Sequence, residues 1–316
     1  MIADRLYGSI VALRNRLFDR EILRARRLQW PVVSVGNIAV GGSGKTPFVL
    51  MLGELLRESG VLIDVLSRGY GRATTGVLKV HPEGSPEEFG DEPLLIARKL
   101  SCPVIVGEDR HLAGLQAEEA CASNPEHQLH LLDDGFQHRQ LHRDFDIVLV
   151  SREDLDDKVL PSGRLREPVT ALARADAVVV DKDFPVERVP RGQFQVWRTE
   201  RTLDITELNA PVVAFCGIAR PHRFFSGLRN NGIDVREEIA FRDHHRYTEN
   251  DVHKLMASRD QLPGSRLVTT EKDAINLGGY LEVLDPVVVP MRMRLIDAHS
   301  AIDHILHSIA ELRAPS

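Results

Sequence analysis

Residues 39–46 read A-V-G-G-S-G-K-T, between the β-branched run Val32-Val33-Ser34-Val35 and an apolar-periodic stretch from Phe48 to Leu56. A strand that feeds a glycine-rich turn and then a helix start leaves few folds open. Glycines at 41, 42 and 44 let backbone N–H groups turn inward around phosphate oxygens, at a helix N-terminus whose dipole favours anions. The pattern is a P-loop, with Ala39 where a glycine usually opens it. In such a loop Gly41, Gly42, Ser43 and Gly44 form the cradle, Lys45 reaches the β and γ phosphates, and the Thr46 hydroxyl ligates Mg²⁺.

The chain has 316 residues, 43% of them hydrophobic, which is enough for more than one core and makes two domains the natural expectation. Its formal net charge of -6 argues against nucleic acid as a partner, since nonspecific binding there needs a basic face that displaces counterions. Cys102, Cys121 and Cys216 are widely spaced and form no C-x-x-C pair, so neither a disulfide framework nor a zinc site is expected, and a reducing cytosol is. No run approaches the roughly 20 apolar residues that span a bilayer, and the N-terminus has no signal-peptide core. The expectation is a protein neither exported nor threaded through a membrane.

Along the chain, Ile2, Leu6, Ile10, Leu13 and Leu17 recur at spacings of four and three, widened by Val11, Phe18 and Ile22, and predict an amphipathic helix in residues 1–30. Seven arginines in that stretch (Arg5, Arg14, Arg16, Arg20, Arg24, Arg26 and Arg27) stand against Asp4, Asp19 and Glu21, in an otherwise acidic chain. Such a helix lies in the headgroup region of an anionic leaflet or packs on its own domain; the sequence leaves both open.

From Pro31 to about Asp181, short β-branched runs at 31–35, 61–66, 77–80, 103–106, 129–132, 146–151 and 177–181 alternate with helical stretches. The fold class is therefore α/β, with a mostly parallel sheet and crossover helices. The pattern loosens around 184–210, and a second, smaller α/β unit follows, with strands at 211–215 and 266–269 and helices near 220–230 and 248–259. Segments 193–198 and 286–292 are expected to pair as a ribbon between the units, with a last helix near 298–312 returning to the first. The expected divisions are 1–30 for the N-terminal helix, part of the first domain, 31–190 for the P-loop domain, and 191–316 for the second domain with its linker strands.

A P-loop needs an acidic partner at the end of another strand, and Leu129-His130-Leu131-Leu132 runs into Asp133-Asp134-Gly135. The loop continues through Gln137 to His138, a donor that can contact a sugar-like or anionic substrate. Arg68, Arg72, Arg110, Arg164 and Arg166 fall in loops or helix starts after strands, the ligand-binding edge of an open α/β sheet. As a group they suggest an acceptor that already carries phosphate. A transfer to a hydroxyl also needs a group to take its proton, for which Asp91, Asp133, Asp134 and the Asp243-His244-His245 cluster are candidates. Asp91 could equally cap the helix that it opens.

At these residues the chain resembles the tetraacyldisaccharide 4′-kinase family, the lipid A 4′-kinases of Gram-negative bacteria. The resemblance rests on V-G-N-I-A-V-G-G-S-G-K-T-P at 35–47, L-S-R-G-Y-G-R at 66–72, G-D-E-P at 90–93, D-D-G-F-Q-H at 133–138, G-R-L-R-E-P at 163–168, D-H at 243–244 and T-T-E-K-D-A at 269–274. It implies a P-loop kinase domain joined by a two-stranded linker to a smaller C-terminal domain. The implied reaction moves the ATP γ-phosphate to the 4′ hydroxyl of an acylated glucosamine disaccharide 1-phosphate, by a peripheral enzyme on the cytoplasmic face of the inner membrane. Carried over by motif, Lys45 and Thr46 serve phosphates and Mg²⁺, Asp133 and Asp134 serve metal and catalysis, and Asp91 pairs with His244 as the base. Tyr70, Arg72, His138 and Arg166 stand at substrate-contacting positions.

A P-loop GTPase or a nucleotide-dependent metal chaperone is the alternative from another class. Guanine selection commonly uses N-K-x-D or T-K-x-D, whereas Thr270-Glu271-Lys272-Asp273 puts the lysine and aspartate side by side. A metal chaperone would be expected to show a C-x-x-C or His-rich tract, and none is present.

Overall fold

The β-branched runs become strands of two sheets, and the segments between them become the helices that cover both. The computed structural model describes residues 2–120, 128–208 and 210–314, so Cys121 lies outside it. In chain order the elements are α1 (Ile2–Asp19), β1 (Val32–Asn37), α2 (Lys45–Glu58), β2 (Leu62–Ser67), β3 (Leu78–Lys79), α3 (Pro86–Phe89), α4 (Asp91–Lys99), β4 (Val104–Val106), α5 (Arg110–Ala120), β5 (Gln128–Asp133), β6 (Phe145–Leu149) and β7 (Ala177–Asp181). There follow β8 (Gln195–Leu203), β9 (Val212–Cys216), α6 (Pro221–Asn230), β10 (Val235–Ala240), α7 (Glu249–Asp260), β11 (Arg266–Thr270), α8 (Glu271–Leu277), α9 (Tyr280–Leu284), β12 (Val287–Val289), β13 (Met291–Leu295) and α10 (Ala298–Arg313).

The large sheet runs β13-β8-β7-β6-β1-β5-β2-β4-β3, parallel from β8 to β4, with antiparallel strands only at its two edges. The small sheet, β10-β9-β11-β12, is parallel throughout. Every residue of β1, β5 and β6 is buried, as a central strand covered on both faces requires. On one face Val33 and Val35 pack with Phe48 and Leu52 of α2, Leu94 of α4 and Ile305 of α10. On the other, Val32 packs with Leu28, Trp30 and Ala113 of α5. Each valine, leucine, isoleucine and phenylalanine among them contributes roughly 1.5–3 kcal/mol by leaving water. β1 pairs with β5 on one side and β6 on the other, so strand order reverses there, and the loop after β1 opens at the switch point.

Three expectations change. The N-terminal helix stops at Asp19, and Arg20 to Arg27 continue as an irregular segment tied to the body by a bridge of Arg26 to Leu141, the Arg26–Asp109 ion pair at 2.6 Å and a contact of His111 with the Arg27 carbonyl. Segment 286–292 does not pair as a unit, because Pro290 has no N–H to carry a ladder onward. Its first half, β12, joins β11, and its second, β13, pairs with β8 from Thr199↔Leu295 to Leu203↔Met291, later in β8 than 193–198. Strand β10 is absent from the sequence reading, since an edge strand reading V-R-E-E-I-A shows too little apolar character. The last helix packs on the large sheet through Ile302, Ile305 and Ile309, and Arg313 donates to both oxygens of Asp144 at 2.9 Å.

Away from the P-loop, His130 of β5 is wholly buried, with Nδ1 at 2.9 Å from Asp64, Nε2 at 3.3 Å from Glu118, and its ring stacked on Trp30. Burial by itself would lower its pKa, but the two carboxylates raise it to about 9. The folded state therefore holds this proton more tightly than the unfolded chain does, where the value is 6.5. The stabilisation is complete below that unfolded value and is lost as pH rises through about 9. Urea unfolding should show stability declining across this window in the wild type, with a shallower decline in His130→Gln.

Candidate active site

Asn37, the last residue of β1, staples the loop that follows. Its amide donates to the Ala39 carbonyl at 2.6 Å, and its Oδ1 accepts from Lys45 at 3.3 Å. Gly41, Gly42 and Gly44 take φ values of +78°, +45° and +85°, the left-handed region that side chains resist, and the loop passes directly into α2 with Lys45 and Thr46 in its first turn. The Lys45 ammonium lies 3.3 Å from Asp134, so the lysine stands between the loop and the end of β5.

The adjacent carboxylates there have different surroundings. Asp133 is buried, accepts from the Ser67 hydroxyl at the end of β2 at 2.9 Å, and keeps Oδ1 buried without a hydrogen-bond partner among the described residues. Burial, with Glu92 and Asp134 nearby, pushes its pKa well above the usual carboxylate range. Asp134 turns out of the strand at φ +51° and is gripped by Arg166 at 2.8 Å. Burial would raise its pKa, but Lys45 and Arg166 hold it below the usual carboxylate range. The surroundings thus push the two pKa values in opposite directions, Asp133 up and Asp134 down, a separation typical of groups with distinct chemical tasks.

The two sheets meet at Asp91 and His244. Asp91 begins α4, where Gly90 is the helix cap, and its Oδ1 accepts from the next backbone N–H, that of Glu92. His244 comes from the loop after β10, at φ +56°, and its Nδ1 lies 2.8 Å from Asp91 Oδ2. Asp91 also accepts from Asn276 of α8 at 3.2 Å. Burial favours the neutral acid, yet His244, Lys272 and Asn276 outweigh it and hold Asp91 at about 2. For His244, burial and Lys272 work against the charged form, and Asp91 raises it above the ordinary imidazole value.

Around this pair, Tyr70 is 64% exposed with its ring 5.2 Å from that of His244. His138 is held neutral, since burial and then Arg110 and Arg143 push it down to about 3, and its Nε2 is buried without a partner among the described residues. The five arginines do not all converge. Arg166 grips Asp134; Arg110 is buried near Arg68, Asp134 and Asp133, with burial and Arg68 lowering it to about 10. Arg72 folds back on the Gly76 carbonyl, and Arg164 pairs with Asp157 at 2.9 Å. His245 stacks on Phe241 at 4.6 Å and meets Asp251 at 3.1 Å, a packing role. No metal-holding group of three or more His, Cys, Asp or Glu occurs among the described residues.

Lys272, Asn276 and Glu92 are missing from the sequence-derived set. Lys272 Nζ lies 3.3 Å from His244 Nε2, 3.3 Å from Glu92 and 3.4 Å from Asp243. Its neighbour Asp273 accepts from the Gly217 N–H at 2.7 Å and the Tyr247 hydroxyl at 2.8 Å, so neither residue is free to select guanine. The signal was present in T-T-E-K-D-A, but only the fold shows that its lysine faces the Asp91–His244 pair.

A family model described as Tetraacyldisaccharide-1-P 4′-kinase matches residues 1–310. A tetraacyldisaccharide 4′-kinase of Koribacter versatilis is 49% identical over 315 residues, covering 96% of this chain and 97% of that protein. Another, of Aquifex aeolicus, is 40% identical over 296 residues, covering 88% and 89% respectively. A crystal structure of LpxK from Aquifex aeolicus in complex with ATP superposes with a TM-score of 0.77 at 36% identity, covering 97% of this chain and 96% of that one.

The contacts of His244 predict its titration. In Asp91→Asn the raising partner is gone, and the His244 pKa followed by NMR should fall; in Lys272→Met an opposing positive charge is gone, and it should rise. Opposite signs in the two variants are expected only if both contacts persist in solution.

Proposed function

The chain belongs to the tetraacyldisaccharide 4′-kinase family, and on that premise we propose that its site passes the γ-phosphoryl group of ATP to the 4′ hydroxyl of an acylated glucosamine disaccharide 1-phosphate, a lipid A precursor. The observation that carries the reading is the 2.8 Å contact of Asp91 with His244, made across the two sheets at the strand edge where the P-loop opens. Asp91 is ionised at neutral pH, and His244 orients it. As the bond between the γ-phosphorus and the bridging oxygen breaks, its electron pair stays on ADP; the 4′ oxygen bonds to phosphorus, and its proton passes to Asp91.

Lys45 and the loop N–H groups bind the phosphates, while Arg166, His138 and Tyr70 position the disaccharide; Arg72, turned back on the Gly76 carbonyl, has no part in this reading. The donor set fits Mg²⁺: Thr46 offers a hydroxyl in the first turn of α2, and Asp133 has a buried oxygen free of partners among the described residues. Magnesium takes one or two carboxylates together with substrate phosphates and water. Thr46 and Asp133 would hold the ion, with Asp134 beside them; bound there, it neutralises charge on the β and γ oxygens.

Helix α1 supports a peripheral place on the cytoplasmic face of the inner membrane. No described helix is long and apolar enough to cross a bilayer. Leu6, Ile10 and Leu13 are 62%, 59% and 59% exposed on one stripe, whereas Tyr7, Arg14 and Asn15 on the adjacent face bond to Arg166, Gln137 and Glu167. Exposed Arg16, Arg20, Arg24 and Arg27 flank the stripe or follow it, and suit an anionic leaflet.

Incubation with ATP, Mg²⁺ and the acylated disaccharide 1-phosphate should yield product with one added phosphate by mass; an unchanged acceptor would reject the assignment. Asp91→Asn should lower kcat by about 10²–10⁴-fold with ATP affinity retained. Replacing Leu6, Ile10 and Leu13 by serine leaves the packing face of α1 intact and removes roughly 1.5–3 kcal/mol of buried apolar surface per residue in the lipid. Sedimentation with anionic vesicles should fall sharply, and unchanged recovery would refute the anchor.

A further inference from the structure

Strand β8 parts from β7 after Thr199 and runs on, paired only with β13, toward the small sheet. Its side chains alternate between two faces. Trp197 and Thr199 are buried, and Leu203 packs where a Cβ on Gly227 would be only 2.8 Å away, so position 201 falls on the same inner face. A period of two calls for an apolar side chain there, and the chain has Arg201. The outward neighbour Glu200 is neutralised by Lys182 and Arg294.

Arg201 lies against the P-loop. Its Nη2 donates to the Ser43 carbonyl at 2.9 Å, and a Cβ on Gly44 would come within 3.1 Å of its Cζ, so the approach depends on that glycine. The nearby arginines are balanced: Arg220 pairs with Glu153 at 2.9 Å and Asp154 at 3.3 Å, and Arg223 with Glu153 at 2.7 Å. Arg201 makes no ion pair among the described residues, and its Nε is buried without a hydrogen-bond partner. A partly buried guanidinium that lacks a counter-ion is unfavourable, and its planar fork matches phosphate oxygens.

We propose that Arg201 is an arginine finger supplied in cis, pairing with phosphate oxygens of the nucleotide in the P-loop and neutralising charge as the γ-phosphoryl group departs. The proposal rests on the kinase reading above and adds to it a phosphate-binding residue from the connection between the two sheets. No carboxylate has to be displaced for the pairing to form. In the transfer Arg201 exchanges no proton; it stabilises the electron pair left on the β-phosphate oxygen as the γ-phosphoryl group departs.

The test compares the full-length wild type with Arg201→Gln and Arg201→Lys, in kcat with the lipid acceptor and in affinity for ATP, for AMP, and for inorganic tripolyphosphate as a nucleoside-free probe. Arg201→Gln should lose about 10³-fold or more in kcat, the scale of known arginine fingers. It should weaken ATP and tripolyphosphate binding and leave AMP binding as it was, and Arg201→Lys should recover part of the loss as a point charge. Two results would overturn the proposal: wild-type kcat and tripolyphosphate affinity in Arg201→Gln, or an equal loss for AMP, ATP and tripolyphosphate, which would make Arg201 a brace of the Ser43 carbonyl. A wild-type protein that binds ATP and tripolyphosphate but does not phosphorylate the lipid would instead reject the kinase reading and leave the binding arm to decide on Arg201.

Discussion

The parallel pairing of β1 with β5 on one side and β6 on the other is the constraint from which the site follows. Parallel strands share a direction, so Asn37, Ser67 and Asp133 all finish on one edge although 96 positions separate the first from the last. Neighbouring crossovers leave the central strand in opposite directions, and the crevice between them receives the glycine-rich loop. Burial of both sheet faces fixes the register that sets Ser67 against Asp133, because a slip of one residue would turn each strand's valines and leucines inside out.

Within that crevice the charges act as a coupled set. Lys45 and Arg166 keep Asp134 ionised, and the resulting negative charge helps to raise Asp133. Across the gap, Lys272 Nζ lies 3.3 Å from His244 Nε2 while Nδ1 faces Asp91 at 2.8 Å, so the imidazole is held from both ring nitrogens. The second unit thus supplies the imidazole and also the lysine and asparagine that orient the kinase-side carboxylate. A separation of the two sheets would break all of these contacts together, which is how closure can assemble a site and exclude water in one motion.

The N-terminal helix is tied to the same machinery. Tyr7 donates to the Arg166 carbonyl and Asn15 to Glu167, which also receives Gln137 and Arg174. Arg166 in turn grips Asp134, so the segment with the exposed apolar stripe is two contacts from the end of β5. That path gives a physical reason for one helix face to be polar and half-buried while the next is apolar and bare.

From the sequence alone came the P-loop, the acidic end of β5, the α/β class and most strands, because each rests on a local pattern: glycines at fixed offsets, a D-D-G after an apolar run, β-branched clusters between turns. Asp91 and His244 could be named as a pair only through the family resemblance, since 153 positions separate them and no local spacing relates them. The tertiary structure decided what depends on distant segments arriving at one place. It turned Lys272 toward the pair, kept Arg164 away from the arginine group, gave His245 to packing, split 286–292 at Pro290, and laid Arg201 on the glycine loop. A side chain's surroundings in these cases are set by which strand edges come together, and a one-dimensional period of two or 3.6 carries no record of that.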